Sequence, residues 1–599
     1  MNILGLSFFY HDAAAALLVD GRLVAASEEE RFSRVKHDSA YPERAIAFCL
    51  AKAGLTAADL DCVVFYEKPF LKFHRLIQTL ADYAPRTGLV FRDAMVSWLG
   101  EKLWIKPLVR EKLGVPEDRI LFSEHHLSHA ASAFFCSPFA EAAILTVDGV
   151  GEWSTATLGR GTARWGDAGE NKIDLFSEIR FPHSLGLLYS AFTAFLGFEV
   201  NEGEYKVMGM APYGEPRYVD RVEKLMRLHA DGSFEMDLSY FRFPYHRRDT
   251  FSPKFTALFG PPRDPRARFV TRRSGPAGEG PPATEGEMNA NQHYADIAAS
   301  VQRATEEILL KMARHLHART GLKNLCVAGG VALNSVANHR LRRETPFEDI
   351  YIQPAAGDAG GALGAALYVE HAALGRPRRF VMDRADWGLA VDPARAADFF
   401  RSGGIAHETL ENEERLIERV VDWLGKGRVI GWAQGAAEWG PRALGHRSIL
   451  ADPGRAGMKD TVNIKIKYRE PFRPFAPSVP VERAADFVDF PDVERLLPPR
   501  FMLMVAPVRP EKRAVIPAVT HVDGSCRLQT VSPDVDPLYH RLLTRFGERA
   551  GAPVLLNTSF NLRGEPIVND HENAHRTFSA CGMDALVVGP HWVPKPGID

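Results

Sequence analysis

Hydrophobic and polar positions at the start of the chain alternate in short runs. Residues 2–7 read as a strand. Residues 13–19 and 23–27 read as a hairpin joined by Asp20-Gly21, the dipeptide that favours a type I′ turn. His11 and Asp12 fall in the loop between the first two strands. Residues 42–55 carry apolar side chains at helical spacing. A comparable arrangement returns at Ala142, with an apolar strand over 142–147, an acidic glycine turn, and further strands at 153–159 and 173–181. Two strand-loop-strand halves, each with an acidic loop facing a shared cleft, describe an actin-like architecture with nucleotide between the halves.

Beyond the second half, a Ser184-capped apolar helix precedes the polar stretch Asn201-Glu202-Gly203-Glu204-Tyr205-Lys206, expected as a ligand-contacting loop. Lys206 could meet a phosphate or pair with Glu202 or Glu204. Residues 261–292 are rich in Pro, Gly and charge and are expected as a mobile insertion or lid. A helix over 293–319 leads to a strand at 324–328 and a turn with Gly329, Gly330 and Asn334. A second strand, 349–353, ends in a turn with Gly357 and Asp358. Glycines at strand ends let backbone amides approach a nucleotide closely. A junction over 375–387 separates a second domain, beginning with a helix over 413–426 that Asn412 can cap and a strand over 428–434.

Chemistry concentrates between Leu121 and Glu152. Ser123 can cap a helix that starts at Glu124 and ends before Pro138, placing His125 and His129 on one face and His126 on another. The next strand delivers Asp148 at its end. Two imidazoles and a carboxylate with open positions suit a divalent iron, zinc or manganese ion, and Asp358 could complete the shell. A polar core pair is the other reading of two histidines at that spacing. In the second domain Arg442, Arg447, Lys465, Lys467, Arg469 and Arg473 lie among Gly, Pro and Phe rather than among glutamates at helical spacing, which favours an anion pocket over a solvated face. Arg527, Asn557 and Ser559 would add donors to it.

A chain of 599 residues with 46% hydrophobic content can bury a full core. Its 73 basic and 75 acidic residues leave no global field for nucleic acid or an anionic membrane, so neither is an expected partner. The start lacks a basic leader, no apolar span reaches ~18 residues, and six cysteines lack any C-x-x-C pair, as expected of a cytoplasmic protein. There is no G-x-x-x-x-G-K-[ST], so ATP would not be held by a P-loop, and no G-x-S-x-G.

HHLSHAASAF, TVDGVGEW, NEGEYKVMGMAPYG, AGGVALNS, PAAGDAGGALGAA, EWGPRALGHRSILADP, KYREPFRPFAP and LLNTSFNLRGEPIV stand in this order along the chain. In these motifs it resembles the O-carbamoyltransferases of the NodU/CmcH family, which carbamoylate hydroxyl groups of nodulation factors and antibiotics. The resemblance implies an α/β protein with an actin-like, TsaD-like carbamoyl-transfer domain over 1–376 and a YrdC-like carbamoyl adenylate-forming domain over 377–599. It implies iron(II) on His125, His129, Asp148 and Asp358, and an adenylation site built from Arg442, Lys467, Arg473, Arg527, Asn557 and Ser559. ATP with Mg2+, carbamoyl phosphate and a hydroxylated small-molecule acceptor are the implied partners, with a homodimer as the default assembly. His11 and Asp12 are candidates for binding nucleotide or carbamoyl group, for assisting the hydroxyl's deprotonation, or for capping their loop. A silent actin-like nucleotide-binding protein and a tRNA threonylcarbamoyl-type transferase are the competing readings.

Overall fold

The computed structural model describes residues 1–165, 170–246, 249–274, 282–470 and 472–598. The chain forms two compact units. One comprises Met1–Ala26, Ser39–Arg272 and Thr284–Val381, and the other Ser27–Asp38, Arg273–Ala283 and Met382–Asp599.

The first unit contains the same sheet twice. Strands β1 (Asn2–Ser7), β2 (Ala14–Val19), β3 (Arg22–Glu28), β4 (Cys62–Phe65) and β5 (Ile120–Phe122) run in the order β3-β2-β1-β4-β5. Strands β6 (Glu141–Val147), β7 (Ser154–Thr162), β8 (Lys172–Arg180), β9 (Asn324–Ala328) and β10 (Asp349–Tyr351) repeat it as β8-β7-β6-β9-β10. In each sheet the central strand pairs antiparallel with its hairpin partner and parallel with the strand that follows the crossover. The duplication read from the hydrophobic pattern is thus a duplication of topology, and this is the actin-like architecture. The turn between β2 and β3 has positive φ at both Asp20 and Gly21, as the type I′ assignment requires. Strands β1 and β6 are buried along nearly their whole length, β1 beneath the helix at 358–367 and β6 beneath those at 125–134 and 285–320.

Helix α1 (Pro69–Asp82) follows β4 in the chain, and helices α2 (His125–Phe134), α3 (Glu285–Thr320) and α4 (Asp358–Leu367) pack on these sheets. Helix α4 can approach α2 closely because Gly364 lacks a side chain; a Cβ there would stand 1.8 Å from the carbonyl oxygen of Ser128.

Three expectations change. Helix α3 begins at Glu285, inside the segment expected to be a mobile insertion, because Thr284 and Glu287 form a reciprocal capping box. Of that segment, 275–281 lies outside the described residues. The stretch around Lys206 is largely the helix Glu204–Met210 rather than an open loop. Finally, α2 starts one residue later than expected and Ser123 does not cap it; the N–H of His125 donates instead to the carboxylate of Glu152, at 3.0 and 3.2 Å.

The second unit is built on an eight-stranded mixed sheet, in the order Glu408–Thr409, His591–Pro594, Ala585–Val588, Ile430–Ala433, Arg447–Ala451, Leu555–Ser559, Ala476–Pro480, Gln529–Val531. Helices Glu413–Gly425 and Pro537–Ala550 cover it, burying Leu416, Val420, Leu424, Leu542 and Phe546 against Trp432, Leu450 and Leu555. Asn412 caps the first of these helices, as its sequence predicts. This is the α/β second domain that the resemblance implies.

Candidate active site

The two halves of the first unit bring four side chains to one point. Helix α2 carries His125 and His129, β6 delivers Asp148 just past its end, and Asp358 opens α4. All four are buried, and one ligand atom from each lies within 4.8 Å of the others. His125 Nε2 stands 3.1 Å from His129 Nε2 and 3.1 Å from Asp148 Oδ2, and His129 Nε2 is 3.4 Å from Asp358 Oδ1.

Burial alone would raise Asp148, yet hydrogen bonds with His125 and His129 hold it well below the usual carboxylate range. Burial would likewise lower both imidazoles, but Asp358 raises His125 and Asp148 raises His129. Two ring nitrogens facing each other can share only one proton, and two carboxylates aim at the same point. A divalent cation would resolve this crowding, and the N2O2 set fits iron, zinc or manganese. His126 takes no part: its nitrogens meet Thr146 Oγ1 at 2.6 Å and the Ser154 carbonyl oxygen at 2.8 Å. Burial and the two neighbouring histidines push it down to about 3, so it stays neutral.

Tyr66 and Glu67, which stand in no motif, and the motif residues Gly330 and Glu152 support this group. Asp148 Oδ1 accepts the Gly330 N–H at 2.8 Å. Tyr66 OH reaches Asp358 Oδ2 at 3.5 Å, and Glu67 Oε2 lies 3.5 Å from His125 Nδ1. Glu152 also accepts the Lys68 N–H, at 2.8 Å, so one carboxylate serves the N-termini of both α1 and α2. The signal for Glu67 was its place two residues past the apolar strand β4, one residue further along than Asp148 stands after β6. His11 reaches the edge of the group, with Nδ1 3.0 Å from Asp12 Oδ2 and Nε2 4.0 Å from Asp358 Oδ2. Burial lowers His11, but Asp12 and then Asp358 raise it to about 9.

The glycine turns work differently from expectation. Gly329 is indispensable for its positive φ and because a Cβ there would sit 2.2 Å from the Val147 carbonyl oxygen. Its N–H donates to Ala356, however, and that of Gly330 to Asp148, so neither amide is open to a nucleotide. Asn334 is likewise engaged, capping the helix Ser335–Glu344 and exchanging hydrogen bonds with Gln302. Gly357 differs, since a Cβ there would meet nothing within 4 Å. Lys206 lies 5.8 Å from the Phe198 ring centroid, while Glu204 accepts from Ser190 and Asn201.

In the second unit the cation cluster divides. Arg447 is fully buried and donates to the carbonyls of Asn569, Gln434 and Leu389, which makes it a structural tie rather than an anion ligand. Lys465 is exposed. Lys467 is buried with its Nζ among four oxygens: Ser559 O and Oγ at 2.7 and 3.2 Å, and Asn561 O and Oδ1 at 2.8 and 2.6 Å. Burial, Arg469 and Arg473 press its pKa well down. Asn557 and Ser559 share a strand face, and Asn557 donates to Gln529 and to the carbonyl of Ala443, next to Arg442. Arg473 does have an acidic neighbour, with Glu470 3.6 Å away. Arg527 closes the short strand Ser525–Arg527, paired with Val505–Pro507.

Two descriptions of known families cover the chain. The carbamoyltransferase N-terminus matches residues 2–367 and the carbamoyltransferase C-terminus residues 421–595. The protein is therefore a transferase enzyme. It belongs to the carbamoyltransferase family.

Nodulation protein NolNO of Sinorhizobium fredii is 39% identical over 98% of this chain and 79% of its own. An uncharacterised protein of Synechocystis is 46% identical over 98% and 95%. The 3'-hydroxymethylcephem-O-carbamoyltransferase of Amycolatopsis lactamdurans is 34% identical over 45% and 49%. Among solved structures, component A of (R)-2-hydroxyglutaryl-CoA dehydratase from Acidaminococcus fermentans covers 61% of this chain and 97% of its own, at 14% identity and a TM-score of 0.31. HypF of T. kodakarensis covers 62% and 48%, at 15% identity and a TM-score of 0.30.

Proposed function

We propose that this carbamoyltransferase works in two steps, using ATP with Mg2+ and carbamoyl phosphate to carbamoylate a hydroxyl of a small-molecule acceptor. In the second unit, water releases carbamate and phosphate from carbamoyl phosphate. A carbamate oxygen then attacks the α-phosphorus of ATP, the bond to the β-phosphate oxygen breaks, and pyrophosphate leaves behind carbamoyl adenylate. Lys467, Arg442, Arg473 and Arg527 would neutralise charge on the phosphates, since phosphoryl transfer needs positioning and charge compensation rather than covalent help.

In the first unit the acceptor hydroxyl oxygen bonds to the carbamoyl carbon, the bond to AMP breaks, and the hydroxyl proton is released. His125, His129, Asp148 and Asp358 would hold a divalent ion, iron(II) by resemblance to the family, which supplies polarisation of the carbamoyl oxygen. His11 and Asp12 stand at its edge, where they can hold the carbamoyl group or take up the proton.

The observation that carries this reading is the convergence of four buried ligand atoms within 4.8 Å in a chain of this family. Two variants test the division of labour. Arg473→Ala should abolish carbamoyl phosphate-dependent ATP–pyrophosphate exchange yet leave transfer from supplied carbamoyl adenylate; His125→Ala should do the reverse. Loss of both half-reactions in either variant, with the fold intact, would overturn the assignment.

A further inference from the structure

The duplicated sheets show what has been added to one of them. Between β9 and β10 the chain needs only residues 329–348, whereas between β4 and β5 it spends residues 66–119 on α1 and the helical segments Gly88–Ser97, Trp98–Lys102 and Ile105–Leu113. This addition walls a cavity of about 170 Å³ together with the loop after β1. Phe9, Tyr10 and Trp98 give it aromatic walls, and Glu67, Lys72 and Lys102 line it as charged groups.

The charges do not cancel. Lys72 Nζ is 2.7 Å from Glu67 Oε2, and that same oxygen lies 3.5 Å from His125 Nδ1. One carboxylate thus serves both a lysine of the cavity and a histidine of the four-ligand group. Lys102 donates to the Phe9 carbonyl at 2.9 Å, and among the described residues no carboxylate stands in ion-pair distance of it. Burial, then Lys72, holds Lys102 below the ordinary lysine value. Two ammonium groups with a single, shared carboxylate in a half-enclosed aromatic pocket form a receptor for an anion on an apolar ring. The glycine turns of the second half contribute nothing to its lining.

We infer that this cavity is the acceptor's subsite, and that Lys72 and Lys102 take a carboxylate or phosphate ester carried close to the hydroxyl to be carbamoylated. This rests on the proposed transfer reaction at the neighbouring four-ligand group. The acceptor class is then an anionic hydroxy compound with a flat apolar body, and residues 66–119 set which acceptor is used.

Benzoate, with benzyl alcohol as its neutral counterpart, probes the cavity through Trp98 by ligand-observed NMR and fluorescence on the full chain. Benzoate should bind at least tenfold more tightly than benzyl alcohol. Lys102→Met should remove that preference, and Lys102→Arg should keep most of it. Equal binding of the two probes, or a preference that survives in Lys102→Met, would overturn the assignment. The other source of such an anion is the nucleotide: if AMP displaces benzoate and loses tenfold affinity in Lys102→Met, the cavity holds the nucleotide phosphate and the acceptor assignment falls. ATP–pyrophosphate exchange by the wild-type chain separates this from the reaction itself, because absence of exchange with benzoate binding intact sinks the proposed chemistry and not the anion site.

Discussion

Glu152 holds the start of the helix that carries both histidines, and its replacement gives a local measurement. In Glu152→Ala the N–H groups of His125 and Lys68 lose their acceptor. A buried unsatisfied donor costs about 1–3 kcal/mol, and water can reach Lys68, so α2 loses about 2 kcal/mol against local opening. Since 1.4 kcal/mol is a factor of ten, amide exchange over 121–134 should quicken about 30-fold. Glu152→Gln retains a carbonyl acceptor at the same place and should stay within about threefold of the wild type. Hydrogen exchange followed by mass spectrometry on peptides from this stretch reads the effect directly. Exchange in Glu152→Ala at the wild-type rate would refute the claim that a distant carboxylate caps this helix.

Three further outcomes follow from the geometry. Wild-type protein loaded anaerobically with iron(II) and desalted should retain about one ion per chain, and Asp148→Asn or His129→Ala less than a tenth of that, by elemental analysis; equal retention in either variant would remove that residue from the ligand set. Arg447→Lys keeps the charge but not the fork that ties five backbone carbonyls, so it should destabilise the second unit by about 3 kcal/mol in urea unfolding, whereas an anion-binding role would leave stability intact. His446 Nε2 lies 3.1 Å from Asp536 Oδ2, and although burial lowers its pKa, that carboxylate raises it from 6.5 to about 9. Because the folded value lies above the unfolded one, the pair stabilises fully below pH 6.5 and fades as the pH rises through 9, with a ceiling of about 3 kcal/mol. His446→Gln should therefore be less stable than the wild type at pH 6 and equal to it above pH 9.5; a constant difference would refute the coupling.

Helix starts with their own capping groups were legible in the sequence, as at Asn412 and Ser184, because the signal lies within four residues. Thr284 and Glu287 carried the same signal, but the Pro- and Gly-rich composition around them suggested a lid. At α2 the local signal misled: Ser123 looked like a cap, and the acceptor for the His125 N–H came from Glu152, twenty-seven residues beyond His125. The candidate ligands could be named because helical spacing pairs His125 with His129 and an apolar strand delivers Asp148. Glu67, the carboxylate behind His125, stands in no motif.

What the sequence alone determined is everything that depends on neighbours along the chain: the period-two and period-3.6 runs, the turn at Asp20-Gly21, the repeated half, and the family motifs. Only the tertiary structure decided which polar groups are free to act, because that depends on partners from 27 to 182 residues apart. Arg447 and Lys467 look alike as letters, yet one ties the backbone of the second unit together while the other sits among the oxygens of Ser559 and Asn561. Gly329 and Gly330 look like nucleotide-binding amides, yet the fold directs their N–H groups to Ala356 and Asp148. A buried donor must find an acceptor, and which one it finds is settled when the sheets and helices pack.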